Sequence, residues 1–145
     1  MAMDIHAIAV QQMSCNFTVW RDTKTIDTTH LNNQVINDAL KIITDTADKY
    51  FNNVLFDWAN IVEWPVGAKQ QFHLDTASDK TVLSSITYLN NDFRGGETLF
   101  EDGTKIAPVP GRTVFFDGIK YKHAVYPVTV ASRFTLPIWY KDKQL

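Results

Sequence analysis

The sequence predicts a mainly β fold of the α+β class, a barrel or sandwich of short strands supported by one N-terminal helix. Two patterns carry this reading. From residue 54 onward, short runs rich in β-branched and aromatic residues alternate with clusters of turn residues. Ahead of them, residues 30–51 hold the one sustained apolar repeat at helical spacing. At 145 residues, 45% of them hydrophobic and 12% aromatic, the chain has the length of one domain and the means to bury a core.

Taken in order, residues 5–20 (IHAIAVQQMSCNFTVW) are expected to form one or two short strands: IHAIAV alternates imperfectly and NFTVW is rich in β-formers. In residues 30–51, Leu31, Val35, Leu40, Ile43, Ala47 and Tyr50 or Phe51 recur with Asn, Asp and Lys between them, which predicts a helix buttressing a sheet. Asp27, Thr28 and Thr29 are its candidate caps, and no Gly or Pro interrupts it. The strands that follow are ANIVEW, KQQFHLD, TVLSSITYL, ETLFE, RTVFFDG, KHAVYPV and RFTLPIWY. NDFRGG, EDGT, PVPGR and TVAS supply the turns between them. Many short strands with regular punctuation argue for a sandwich or barrel, with the helix packed outside.

Charge and composition narrow the function. A formal net charge of −2 gives no overall basic field, so a nucleic-acid backbone is not favoured as the main partner. The single cysteine, Cys15, has no internal disulfide partner, which fits a reducing compartment. No apolar run approaches the roughly 20 residues that span a bilayer, so no membrane role is expected. The start MAMDIHAIAVQQ lacks the basic residues and long apolar stretch of a signal peptide, and a cytoplasmic location is expected.

A metal site on such a scaffold needs ligands that converge from separate strands. His73 and Asp75, in QFHLDTAS, stand two apart, which on a strand puts an imidazole and a carboxylate on the same face. His123 lies in the later strand YKHAVYPV. Two neutral imidazoles and one carboxylate on one side of a metal make the facial triad of non-haem Fe(II) oxygenases, with three positions left open. Zinc accepts the same ligands. H-x-D alone is a weak pattern, and two core histidines each satisfied by a hydrogen bond are the plainer alternative at this point. His6, near the terminus, and His30, opening the helix, read as incidental.

Arg133, at the start of RFTLPIWY, adds a guanidinium suited to a bidentate grip on a carboxylate. By strand parity Arg133, Thr135, Pro137 and Trp139 share a face, as do Val82, Ser84, Ile86 and Tyr88. Singly, an arginine on a strand is more often a surface residue and a tyrosine such as Tyr88 more often core.

Together the pieces carry more. The order His73-x-Asp75, TYLNNDFRGGETLF (87–100), IAPVPGRTVFF (106–116), His123, Arg133 and Trp139 resembles the prolyl 4-hydroxylase-type branch of the Fe(II)- and 2-oxoglutarate-dependent dioxygenases. The resemblance runs from about Trp64 to Tyr140. It implies a double-stranded β-helix, or jelly roll, with helical support over about 28–52 and a β-helix core over about 54–141, in one catalytic domain spanning 1–145. His73, Asp75 and His123 match the family's iron ligands. Arg133 matches the partner of the distal carboxylate of 2-oxoglutarate, with Tyr88 donating a hydrogen bond to the same group. Trp139 matches an aromatic lining the pocket near the ligands. Gly95 and Gly96 match the GGET turn, where glycine serves the backbone.

The resemblance further implies an enzyme using Fe(II), 2-oxoglutarate and O2, with ascorbate as a candidate reductant. Such an enzyme releases succinate and CO2 as it hydroxylates an unactivated C–H bond. The implied substrate is a prolyl residue in a peptide or protein. The alternatives are the same chemistry on a free amino acid or other small molecule, and a non-catalytic metal-binding β-barrel module. Two departures stand out. Relatives often carry tyrosine in a Y-P-x-G-type segment before H-x-D, where this chain has Trp64 in WPVG, and an indole donates a hydrogen bond but accepts none. Pro137 interrupts the strand that carries Arg133, which predicts an edge or a bulge there. The nucleobase-repair branch typically places a second arginine at the position held here by Trp139, which disfavours that branch. The short stretch ahead of His73 predicts a minimal catalytic core.

Overall fold

The computed structural model describes residues 1–14, 17–76 and 78–143. The chain opens on helix α1 (Ala2–Gln12), then a hairpin of β1 (Thr18–Trp20) and β2 (Thr23–Asp27), a single turn α2 (Thr28–Leu31) and the long helix α3 (Gln34–Phe51). The rest is β: β3 (Val54–Trp64), β4 (Gln70–His73), β5 (Thr81–Tyr88), β6 (Arg94–Gly95), β7 (Thr98–Phe100), β8 (Lys105–Ile106), β9 (Thr113–Phe116), β10 (His123–Val125), β11 (Val128–Thr129) and β12 (Arg133–Asp142).

These strands form a six-stranded antiparallel sheet in the order β1-β2-β3-β12-β5-β9, a four-stranded sheet in the order β4-β10-β7-β8, and a short β11-β6 pair. The central strands of the larger sheet, β3, β12 and β5, are covered on both faces, while the edge strand β1 is exposed. On one face, α1 and α3 cover them, with Ile5, Ile36 and Leu40 packed on Ala59, Leu136 and Ile138. On the other, Val62, Trp64 and Tyr88 share a buried cluster with Val125 and Val128 of the opposing strands. Two facing antiparallel sheets with sequence-distant strands as neighbours make the jelly roll that the resemblance implies. Each fully buried side chain of this size is worth roughly 1.5–3 kcal/mol relative to leaving it exposed.

The supporting helix forms where its periodicity predicts, but in two pieces. Asp27 caps α2 by accepting from the Thr29 N–H at 2.9 Å. Asn32 then turns left-handed, at φ 44°, and Asn33 starts α3 by accepting from Val35 and Ile36. Asparagine tolerates αL and caps well, so two adjacent asparagines break a helix without Gly or Pro. Ile36, Ala39, Leu40 and Ala47 form the buried stripe of α3.

Two expectations are corrected. IHAIAV is helix rather than strand: Ile5, Ala9 and Met13 are buried four apart, a helical stripe that packs against α3, and the alternation was incidental. Thr18–Trp20, the end of NFTVW, does form a strand, and TKTID adds β2, which the sequence pattern does not announce. Cys15 lies outside the described residues. Pro137 sits in the central strand β12, neither at an edge nor at a bulge: β12 keeps one register with β5 through Pro137 and Ile86. Its pairing with β3 steps from Thr135–Val62 to Ile138–Ala59, so the missing N–H falls where that ladder is interrupted.

Candidate metal and co-substrate site

His73 closes β4 and His123 opens β10, and the two are direct partners across the strands. Their rings lie 4.2 Å apart between centroids. Asp75 stands just past the end of β4, not within it, and its N–H donates to the Gly118 carbonyl at 2.7 Å. That bond prolongs the strand's course and turns the carboxylate back beside the imidazoles. Ligand atoms of the three residues all lie within 4.8 Å of one another.

The hydrogen bonds determine which atoms face inward. Nδ1 of His73 donates to the Gln71 carbonyl at 2.8 Å, and Nδ1 of His123 to the Tyr121 carbonyl at 3.0 Å. A carbonyl only accepts, so each Nδ1 carries the proton and each Nε2 of the neutral ring presents a lone pair. Asp75 Oδ1 lies 3.0 Å from His123 Nε2 and 3.7 Å from His73 Nε2. Three electron-rich atoms this close repel unless a positive charge lies among them, either a proton on Nε2 or a metal ion. Two imidazoles and a carboxylate fit a divalent first-row ion such as ferrous iron.

The electrostatics favour the metal-competent protonation states. Burial lowers the His73 pKa, and the neighbouring His123 and Arg21 add to that, against the opposing pull of the Gln71 carbonyl and Asp75. For Asp75, burial pushes the carboxyl up, but in the metal-free protein a hydrogen bond from a protonated His123 Nε2, one from Ser84 and the positive charge of protonated imidazoles, in the place a metal ion would take, outweigh it and bring it below its ordinary 3.8. Metal binding needs His73 neutral and Asp75 ionised. Both folded-state values are depressed, so both groups keep those states below their ordinary 6.5 and 3.8, and the arrangement is lost as pH falls through the lowered values. A metal-loaded protein is therefore expected to hold its ion down to the ordinary histidine value of 6.5 and to release it on further acidification. Release already complete by pH 6.5, followed by equilibrium dialysis, would contradict the assignment of His73.

Deeper in the barrel, Arg133 is 1% exposed. Its Nη2 donates to Thr98 Oγ1 at 2.9 Å, and the Tyr88 hydroxyl meets the same oxygen at 2.5 Å. The guanidinium lies between two aromatic faces, 5.0 Å from the Trp64 ring and 5.3 Å from the Tyr88 ring. Gly96, at φ +64°, lets the backbone pass close: a Cβ there would come within 3.1 Å of Arg133 Cδ. Among the described residues no carboxylate lies within ion-pair distance of Arg133, and its Nε and the Trp64 Nε1 are buried without hydrogen-bond partners. Burial accordingly pulls the guanidinium pKa below its ordinary value, with Tyr88 opposing. A buried cation without a counter-charge is costly, and an anionic ligand would complete it. Thr98 pairs with Val125 and Phe100 with His123, so Arg133 sits one strand step deeper than the histidines.

The strand parity read from the sequence agrees with these contacts. Trp139 reaches the triad itself, its indole N–H donating to Asp75 Oδ2 at 3.3 Å while its ring stacks on Trp58. Sequence reasoning missed Ser84 and Gly118, both against Asp75, and Thr98, which joins Arg133 to Tyr88. Ser84 was recoverable, since parity puts it on the Tyr88 face; Thr98 and Gly118 carry no local signal. His6 packs edge-on against Phe134, and His30 lies exposed on α2.

Residues 59–141, more than half of the chain, match the 2OG-Fe(II) oxygenase superfamily. The chain belongs to that superfamily. No curated protein matches the sequence. Among solved structures, this 2OG-Fe(II) oxygenase shares its fold with a Pseudomonas putida prolyl-4-hydroxylase at TM-score 0.81 and 19% identity, over 97% of this chain and 85% of that one. It superposes on the viral collagen prolyl hydroxylase of Paramecium Bursaria Chlorella virus-1 in its 2OG complex at TM-score 0.72 and 19% identity, over 97% and 89%. A Trichoplax adhaerens prolyl hydroxylase, in complex with a hypoxia inducible factor oxygen degradation domain peptide fragment, gives TM-score 0.78 and 17% identity over 99% and 78%. Membership makes the protein an oxidoreductase that works with ferrous iron, 2-oxoglutarate and O2. No helix among its described residues is long and apolar enough to cross a membrane.

Proposed function

We propose that this oxygenase hydroxylates a prolyl residue in a peptide or protein, from a single catalytic domain spanning 1–145. In this reading His73, Asp75 and His123 hold the iron through Nε2, Oδ1 and Nε2, and Arg133 and Tyr88 hold the distal carboxylate of 2-oxoglutarate. When bound, the iron would activate O2, the oxidant; 2-oxoglutarate would be oxidised and decarboxylated to succinate and CO2, with one oxygen atom of O2 going to succinate and the other to the substrate C–H. The chain's own residues bind, orient and shield. Arg133 fixes the co-substrate's far end at the base of the barrel; the Trp64 and Tyr88 rings keep water from the guanidinium. The backbone carbonyls of Gln71 and Tyr121 hold both imidazoles in the tautomer that presents Nε2 inward. A cytoplasmic setting, whose reducing conditions favour ferrous iron, suits this chemistry.

The observation that supports a large, extended substrate is the gradient of exposure across the site. Side-chain exposure rises from 5% at His123 through 15% at Asp75 to 24% at His73, so the site opens on the His73 side. The β1–β2 turn lies near that mouth: Arg21 is close enough to influence His73, and Trp20, stacked under Arg21, is half exposed. An open mouth suits a chain lying across it, and proline-containing segments are already extended, so docking one costs little entropy. A proline-containing peptide is expected to stimulate succinate release and to gain one oxygen atom on a prolyl ring, with free proline a poor substitute. Mass spectrometry of the reacted peptide decides it. Stimulation by free amino acids with no oxygen added to any peptide would move the substrate to the small-molecule class.

A further inference from the structure

The carboxylate of Asp75 is held on the side away from the histidines as firmly as on the side facing them. Ser84 Oγ donates to Oδ2 at 2.8 Å, and Trp139 Nε1 donates to the same oxygen at 3.3 Å. Ser84 is 2% exposed and is the direct cross-strand partner of Trp139, so both donors arrive from one rung of the larger sheet. The Trp139 indole is fixed in turn by Trp58, stacked on it at 4.5 Å with the planes 17° apart. Behind the carboxylate stands Gly118. A Cβ there would lie 2.5 Å from Asp75 Oδ2 and 2.7 Å from Ser84 Oγ, closer than carbon and oxygen can approach without displacement. Its φ is not in the left-handed region, so glycine is required here for space alone.

Building on the iron-site reading above, we propose that Ser84, Trp139 and Gly118 form a clamp that restricts Asp75 to binding metal through Oδ1 only. A carboxylate can bind a metal through one oxygen or two, and the second mode takes an additional position. With three single-atom protein ligands, three positions stay open, enough for a keto acid to occupy two and leave one. If Oδ2 swung onto the metal, the keto acid would have to displace it. The two hydrogen bonds hold that oxygen with its lone pairs committed to N–H and O–H donors, and Gly118 leaves no slack for the carboxylate to rotate. These are positioning residues: they act through Asp75.

The test uses Co(II), a spectroscopic substitute for ferrous iron, under anaerobic conditions. Wild type, Ser84→Ala, Trp139→Phe and the Ser84→Ala/Trp139→Phe double variant are titrated first with Co(II) and then with 2-oxoglutarate. Trp139→Phe keeps an aromatic ring against Trp58 while removing the N–H. In the double variant, Co(II) affinity is expected to stay within about threefold of wild type, because the freed Oδ2 adds a bond to the metal that offsets the roughly 10- to 100-fold loss that removing an orienting group alone would cause. The visible Co(II) spectrum should change before any co-substrate is added, and 2-oxoglutarate affinity should fall about tenfold or more. Gly118→Ala, checked for folding by circular dichroism, should lower Co(II) affinity itself, because it displaces the ligand. A double variant with the wild-type Co(II) spectrum and wild-type 2-oxoglutarate affinity would overturn the clamp while leaving the iron site standing. A wild-type chain that takes up no Co(II) would overturn the iron-site reading and the clamp together.

Discussion

Alanine at His73, Asp75 or His123 is expected to abolish turnover and to weaken Fe(II) binding by well over a hundredfold. Loss of groups that merely orient a metal ligand already costs 10- to 100-fold, and these changes remove the ligand itself. The fold should survive each substitution. None of the three belongs to either buried hydrophobic cluster, and His73 and Asp75 lie at or beyond a strand end. Circular dichroism and thermal melting of the metal-free variants check this independently of activity. His30→Ala is the clean control, since His30 is exposed on α2. His6→Ala should leave metal binding intact while costing some stability, because His6 packs on Phe134. Near-wild-type activity with iron bound in any of the three alanine variants would remove that residue from the ligand set.

The second large effect is expected at Arg133. Arg133→Met, which keeps length and removes charge, should raise the 2-oxoglutarate requirement by about 2–5 kcal/mol in binding terms while iron affinity stays nearly intact. The substitution has a second signature. In the free protein the guanidinium is buried without a carboxylate partner, so its removal should leave the melting temperature of the metal-free protein unchanged or higher. An ordinary structural salt bridge would behave in the opposite way. Tyr88→Phe should cost less, on the order of 1–2 kcal/mol, since one hydroxyl is lost and the ring still covers the guanidinium. An Arg133→Met enzyme with an unchanged 2-oxoglutarate requirement would place the carboxylate elsewhere in the barrel.

The sequence made the β-rich second half legible because its strands are short, β-branched and separated by Gly and Pro turns, and parity along β5 and β12 put Tyr88, Arg133 and Trp139 on faces that do meet. The N-terminal segment was misread because IHAIAV alternates by accident, while its real signal, Ile5, Ala9 and Met13 four apart, becomes visible only once α3 supplies a surface to bury against. The Asn32–Asn33 break was overlooked because only Gly and Pro were weighed as helix breakers, although asparagine also enters αL at low cost. At the site, the residues with distinctive chemistry were singled out and those acting through geometry were not. Gly118 matters for a missing Cβ and Ser84 for one hydroxyl, and neither stands out until Asp75 is seen between them. Pro137 was assigned to an edge or a bulge on a sound general rule, which fails because the interruption falls between two well-paired stretches of the β12–β3 ladder.

The claim that most of this account depends on is that one chain brings a metal triad and a carboxylate-binding arginine into the same barrel. Anaerobic titration tests it in a single cuvette. Fe(II) alone should bind without visible colour, and adding 2-oxoglutarate should produce a weak charge-transfer band in the visible that saturates at about one equivalent of each, as expected when a keto acid chelates iron held by three protein ligands. Asp75→Ala should show no band, and Arg133→Met should show it only at much higher 2-oxoglutarate. A wild-type protein that binds Fe(II) at these residues but never develops the band, at any 2-oxoglutarate concentration, would contradict the account and leave a metal-binding barrel without this chemistry.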